Sequence, residues 1–186
     1  PLKYTSQNAP SEVKNIVKFK NKLWYATLKG LIKDTVGGFI SYNKNKQLDK
    51  KFITKLSNWN DSVLVLAVAN GDVCGVEEKE DSLHILFKLE SGVDIVGRHI
   101  YFLETYKNTL LIGTNRGLVL YDGRDTKFVN HEEGYFMKDV KSTLSLEDGV
   151  LISNGKNLIK IDVEKLDYKN DYKIYAKSFH TIDSFY

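Results

Sequence analysis

Apolar residues in this chain come in short runs, and nearly every run ends at Gly, Asn or Asp. The clearest case is the stretch 106–122, YKNTLLIGTNRGLVLYD. Tyr106 ends one strand and Lys107-Asn108 turn the chain. Thr109–Thr114 runs out, Asn115-Arg116-Gly117 turns it again, and Leu118–Asp122 runs back. A continuous apolar run of this length, bounded by turn formers, predicts a strand buried on both faces.

The same unit recurs. An aromatic or Leu is followed two residues later by Asn or Asp, and four residues later by an apolar strand start. The pattern occurs at Phe19, Asn21 and Leu23; at Trp59, Asp61 and Val63; at Tyr106, Asn108 and Leu110; and at Leu146, Asp148 and Val150. One register fits all four copies, at intervals of 40, 47 and 40 residues. The second strands align as LWYAT, VLVLA, LLIGT and VLISN. Third strands start at Gly71, Gly117 and Asn157. In the first copy two starts compete, Gly30 and Gly37. The likeness of residues 38–43 to Gly117–Asp122 favours Gly37, with LKGLIKDTV as a loop.

First strands are expected at Val13–Phe19, Ile53–Trp59, Ile100–Tyr106 and Val140–Leu146. Fourth strands are expected near 47–52, 83–89, 126–130 and 172–179. The period and the four-strand content predict an all-β chain of four propeller-type blades. The units cover about 13–52, 53–99, 100–138 and 139–179. Extra strand pieces at 2–5 and 182–185 mark the chain as an incomplete part of a larger β-propeller. A single helical turn is allowed at 165–168.

Leu110–Asp122 resembles the two-component regulator propeller repeat, L-W-I-G-T-x-x-G-L-x-x-Y-D. Leu23-Trp24-Tyr25-Ala26-Thr27 is similar, with Ala for Gly. The copy at Val150 keeps Leu158 and Asp162, and the copy at Val63 keeps little beyond Gly71. The resemblance implies a blade of a sensor propeller and implies no chemistry, since fold does not fix function. Physically, Gly113 and Ala26 suit close packing of neighbouring blades, and Gly117 suits a turn with positive φ. Asn108 and Asp148-Gly149 suit the first turn. Phe19, Trp59 and Tyr106 would be plugs between blades.

Composition narrows the function. The net charge is +3, from 27 basic and 24 acidic residues scattered among each other, so no basic stripe points to nucleic acid. Cys74 is alone and reads as a small core residue. No apolar run has the length of a membrane span. The chain opens on Pro1 with no leader pattern, so it is expected to start inside a longer product or after processing.

His84, His99, His131 and His180 lack metal-ligand spacing, so no metal and no cofactor are expected. Asp122-Gly123-Arg124-Asp125 has too few carboxylates for a calcium loop and reads as a turn. No nucleophile elbow or phosphate loop occurs. The chain is therefore read as non-enzymatic. The expected recognition rim carries the turns between second and third strands and the links between blades. Its residues are Lys29, Asn115, Arg116, Arg98, His99, His131 and Glu132. Their mixed charge suits a protein, peptide or carbohydrate ligand.

The expected function is a ligand- or partner-binding propeller module, as in the sensor region of a signalling protein. The alternatives are an intracellular scaffold and a propeller enzyme with its active site in the channel. A sensor would be extracytoplasmic or periplasmic and a scaffold cytoplasmic. The terminal flanks are expected to meet the remaining blades or another copy.

Overall fold

The computed structural model describes residues 10–42, 48, 51–80, 82–129, 138–154, 157–161 and 177–179. The chain divides into two compact units, Pro1–Val93 and Asp94–Tyr186. Each unit holds two four-stranded antiparallel sheets, and every sheet joins its strands in chain order. The expected all-β class, four units of four antiparallel strands, is what the structure shows.

In the first unit, sheet one is β1 (Val13–Phe19), β2 (Lys22–Thr27), β3 (Gly30–Thr35) and β4 (Gly38–Ser41). Sheet two is β5 (Ile53–Trp59), β6 (Val63–Val68), β7 (Val73–Lys79) and β8 (Ser82–Leu89). In the second unit, sheet three is β9 (Ile100–Tyr106), β10 (Thr109–Thr114), β11 (Leu118–Tyr121) and β12 (Thr126–Val129). Sheet four is β13 (Ser142–Leu146), β14 (Gly149–Ser153), β15 (Leu158–Ile161) and β16 (Lys177–Phe179).

The second strands carry the cores. All six residues of β6 and all six of β10 are buried. Side chains alternate across a strand, so each second strand offers one set of residues to each face. Counting from the strand's first residue, Trp24 and Ala26 lie at odd positions of β2. They pack with Leu31 against Leu64 and Leu66, at even positions of β6. In the second unit Leu111, at an odd position of β10, packs with Leu118 and Leu120 against Val150 and Ile152, at even positions of β14. Each stack is thus an odd face seated on an even face. Each fully buried Leu or Ile in these layers contributes roughly 1.5–3 kcal/mol relative to exposure.

First strands of stacked sheets are also tied by hydrogen bonds. The Leu56 amide donates to Asn15 Oδ1 at 2.8 Å, and Asn58 Nδ2 donates to the Lys18 carbonyl at 2.8 Å. In the second unit, Tyr106 Oη donates to the Glu147 carbonyl at 3.1 Å.

Several expectations change. The third strand of the first copy is Gly30–Thr35, and Gly38–Ser41 is the fourth. Leu48 stands in a turn and residues 51–52 precede β5, so no fourth strand is seen there among the described residues. The likeness of residues 38–43 to Gly117–Asp122 pointed to the wrong start, and the passed-over segment carries the polar pair Lys33 and Asp34. Both are satisfied inside the sheet, Asp34 by the Leu23 amide at 2.6 Å and Lys33 by Glu78.

The shared register also fails in the second copy. Trp59 pairs with Val63 across three turn residues, whereas Phe19 pairs with Lys22, and Tyr106 with Thr109, across two. Leu64 rather than Val63 therefore matches Leu23 and Leu110. In the β9–β10 turn the left-handed residue is Lys107, at φ 53°, rather than Asn108.

Strand β13 starts at Ser142, because the Val140 amide donates instead to the Thr114 carbonyl at 3.1 Å. Phe19 and Tyr106 do plug the two cores, but Trp59 stays half-buried and meets Phe87 of its own sheet edge-on. The pieces at 2–5 and 182–185, the helical turn at 165–168 and residues 172–176 lie outside the described residues.

Candidate functional site

The turn between second and third strands is built around one polar side chain. In sheet three, Thr114 Oγ1 accepts the amides of Arg116 and Gly117, each at 3.1 Å. Its one proton is shared between the carbonyls of Gly117 and Val96, each at 2.9 Å. Thr27 holds the β2–β3 turn in the same way, accepting the Lys29 amide at 3.1 Å and donating to the Gly30 carbonyl at 2.8 Å. In sheet four the Asn154 side chain takes this role and accepts the Asn157 amide at 2.8 Å.

Sheet two has Val68 at this position, and Asn70 with Asp72 replaces the hydroxyl. Asn70 Oδ1 accepts the Asp72 amide at 3.0 Å, and the Asp72 carboxylate accepts Asn70 Nδ2 at 2.9 Å and the Ser91 amide at 3.0 Å. Burial pushes the Asp72 pKa up. The Ser91 and Asn70 hydrogen bonds and the nearby Lys88 outweigh it and hold the carboxyl below its ordinary range.

The expected rim residues of the second unit converge on Asn115. Its Oδ1 accepts the amides of Arg98 at 3.2 Å and His99 at 3.3 Å. Its own amide donates to the His99 carbonyl at 3.2 Å, and its carbonyl accepts the Asp139 amide at 3.3 Å. Asn115 therefore joins three segments: residues 96–99, the β10–β11 turn, and the approach to β13. The side chains of Arg98, His99, Arg116 and Lys138 are exposed around this junction. Neither arginine forms an ion pair among the described residues. Asp139 adds one carboxylate, which accepts Tyr101 Oη at 3.1 Å. Burial and that bond raise the Tyr101 pKa.

Lys29 is exposed on the β2–β3 turn of the first unit, and His131 and Glu132 lie outside the described residues.

Gly117 has the expected positive φ, at 158°, a conformation that L side chains rarely adopt. Space demands glycine as well, because a Cβ would come within 2.5 Å of the Val129 carbonyl. Gly113 is where close packing was expected. A Cβ there would meet the Phe102 ring at 2.1 Å and the Val140 carbonyl at 2.6 Å.

Two further features escaped the sequence. One is an open groove of about 570 Å³ in the first unit, lined by Lys18, Lys20, Asn21, Asn58, Asn60 and Asp61 over Phe19. It lies at the turns between first and second strands, the other sheet edge from the expected rim. The other is a buried polar cluster. Lys33 and Tyr42 both hydrogen-bond Glu78 Oε1, and Lys33 Nζ lies 5.7 Å from the centre of the Trp24 ring. Burial lowers the Lys33 pKa, but the bonds to Glu78 and Tyr42 more than reverse this and raise it. Burial and Glu78 raise that of Tyr42. The signal was Lys33 itself, a charge at a position where sheet three has Leu120. Cys74 is buried, as expected.

Among the described residues, no group of three or more His, Cys, Asp or Glu side chains is placed to hold a metal ion. Nor is any helix among them long and apolar enough to cross a membrane.

No family model matches the sequence, and no curated protein matches it. Its fold is similar to solved bacterial structures. One is the extracellular domain of a B. thetaiotaomicron protein described as a hybrid two-component system, BT3049, with TM-score 0.72 and 16% identity over 90% of this chain and 23% of that one. A second is the extracellular domain of BT4673 from the same organism, described as a one-component system, with TM-score 0.73 and 14% identity over 97% of this chain and 26% of that one. A third is PorZ, a surface component of the type-IX secretion system of Porphyromonas gingivalis, with TM-score 0.66 and 14% identity over 92% of this chain and 23% of that one. The chain spans about a quarter of the length of these matches. At such identities the likeness is one of fold.

Proposed function

We propose that this chain is a non-enzymatic, ligand-binding segment of a β-propeller of the two-component regulator type, acting outside the cytoplasm in the sensor region of a signalling protein. The observation that carries the reading is the Asn115 junction. Three chain segments are fixed there by bonds to the Asn115 side chain and main chain, and they present Arg98, His99 and Arg116 outward without ion pairs among the described residues. A rigid frame with exposed, uncommitted donors suits binding, because the frame is ordered before the ligand arrives. The fold's similarity to extracellular domains of signalling proteins supports the compartment and the role.

The donors suit a ligand rich in acceptors, such as an acidic oligosaccharide or a carboxylate-bearing peptide. The experiment is a binding screen against immobilised oligosaccharides and peptides, followed by calorimetry on the hits. Arg98→Glu with Arg116→Glu is expected to weaken a hit at least about tenfold at unchanged unfolding midpoint. A hit bound equally well by the double variant would reject the junction as the site. Turnover of a hit by the purified chain would reject the non-enzymatic reading.

A further inference from the structure

The groove of the first unit carries a distinct pattern of charge. One wall is the end of β1 and the turn after it, with the ammoniums of Lys18 and Lys20. The other is the β5–β6 turn, with the Asp61 carboxylate. All three side chains are exposed, and none forms an ion pair among the described residues. Glu77, whose carboxylate feels the Lys20 charge, is bonded to Lys79 at 2.9 Å.

The groove is also fixed before a ligand arrives. Asn58 Nδ2 donates to the Lys18 carbonyl at 2.8 Å and ties the two walls together. Asn60 Oδ1 accepts the Ser62 amide at 3.0 Å and the Ser62 hydroxyl at 2.8 Å, which sets the β5–β6 turn. The floor is Phe19, buried and edge-on to Trp24 at 6.3 Å. Lys20 Nζ stands 5.3 Å from the centre of the Phe19 ring.

We propose that this groove binds a free acidic amino acid, glutamate or aspartate. The lining presents two cations and one anion, and such a ligand presents two carboxylates and one ammonium. Its carboxylates meet Lys18 and Lys20, and its ammonium meets Asp61. A neutral sugar answers none of the three charges, and a plain anion such as phosphate leaves Asp61 facing like charge. At about 570 Å³ the groove is open and larger than one amino acid, so the ligand stays partly hydrated and binding is weak, with Kd on the order of 1 mM. The groove belongs to the first unit and the Asn115 junction to the second, so neither result below bears on binding at the junction.

An NMR titration of the 186-residue chain at constant ionic strength tests this, with glutamate, glutarate and glutamine as probes. Glutamate is expected to shift the amides of Lys18, Lys20, Asn58 and Asp61. Glutarate lacks the ammonium and glutamine lacks one carboxylate, and each is expected to bind at least about threefold more weakly. Asp61→Asn is expected to erase the preference for glutamate over glutarate. Lys18→Gln with Lys20→Gln is expected to weaken glutamate at least about fivefold at unchanged unfolding midpoint.

Silence of the groove amides at about 20 mM glutamate, far above that Kd, would overturn the proposal. So would glutarate or glutamine binding as well as glutamate, a result read on the wild type whether or not a variant folds. A preference for glutamate that survives Asp61→Asn would do the same.

Discussion

Thr114 and Gly117 are bonded to each other three times across the β10–β11 turn. The Gly117 amide donates to the Thr114 hydroxyl at 3.1 Å, and the Gly117 carbonyl accepts the Thr114 amide at 2.8 Å and the Thr114 hydroxyl at 2.9 Å. The same hydroxyl reaches Val96, so one buried oxygen fixes both the turn and the segment before β9. Thr114→Val keeps the shape and removes that oxygen, leaving buried main-chain groups unpaired. The expected loss is roughly 2–4 kcal/mol in urea unfolding, with Thr114→Ser losing much less. Thr27→Val should cost less than Thr114→Val, because among the described residues the Thr27 hydroxyl bonds only within its own turn. Equal stability of Thr114→Val and wild type would remove the hydroxyl from its anchoring role.

The two glycines packed under aromatic rings should behave differently on substitution. At Gly75 the three nearest atoms to an added Cβ all belong to the Phe87 ring, whereas at Gly113 the Val140 carbonyl also lies 2.6 Å away. A side chain can be trimmed and a carbonyl cannot. Gly75→Ala should therefore be largely rescued by Phe87→Leu, while Gly113→Ala should stay destabilised by about 2 kcal/mol or more with Phe102→Leu. Gly37→Ala, with nothing within 4 Å, should change stability by less than about 0.5 kcal/mol. Melting temperatures of the five variants check this ordering, and rescue at Gly113 would show that the backbone there can yield.

These cases show what the sequence carried. Runs such as LLIGT and VLVLA are buried on both faces, so their apolar pattern has no competing explanation, and all four second strands were legible. Sheet one was misread at its third strand because residues 38–43 look like Gly117–Asp122, while the true strand carries the polar pair Lys33 and Asp34. Their partners, Glu78 and the Leu23 amide, lie 45 and 11 residues away. The extra residue in the Trp59–Val63 turn was hidden because Val63 and Leu64 are equally apolar. At the candidate site, Asn115 was legible as a turn residue. Its bonds to residues 98 and 99 are tertiary and leave no trace in local pattern.

The Lys33, Tyr42 and Glu78 cluster should show itself in alkali. Lys33 and Tyr42 both hold their protons more tightly in the folded chain than at their ordinary pKa values of 10.5 and 10.0. Such groups add stability that is complete below the unfolded pKa and is lost as pH rises toward the folded one. The urea midpoint should therefore fall above about pH 10, and fall less in a Lys33→Met, Tyr42→Phe, Glu78→Leu triple variant. Glu78→Leu alone leaves a buried ammonium without its counter-charge, which should cost on the order of 3 kcal/mol at pH 7. Parallel alkaline profiles for wild type and triple variant would show that the cluster does not set the slope.

Binding at the Asn115 junction can be followed by amide chemical-shift mapping with a ligand taken from the binding screen. The amides of Arg98, His99, Arg116 and Asp139 are expected to shift together, because Asn115 holds all three segments in one frame. Shifts confined to the groove at Lys18, Asn58 and Asp61, with the Asn115 junction silent, would contradict it.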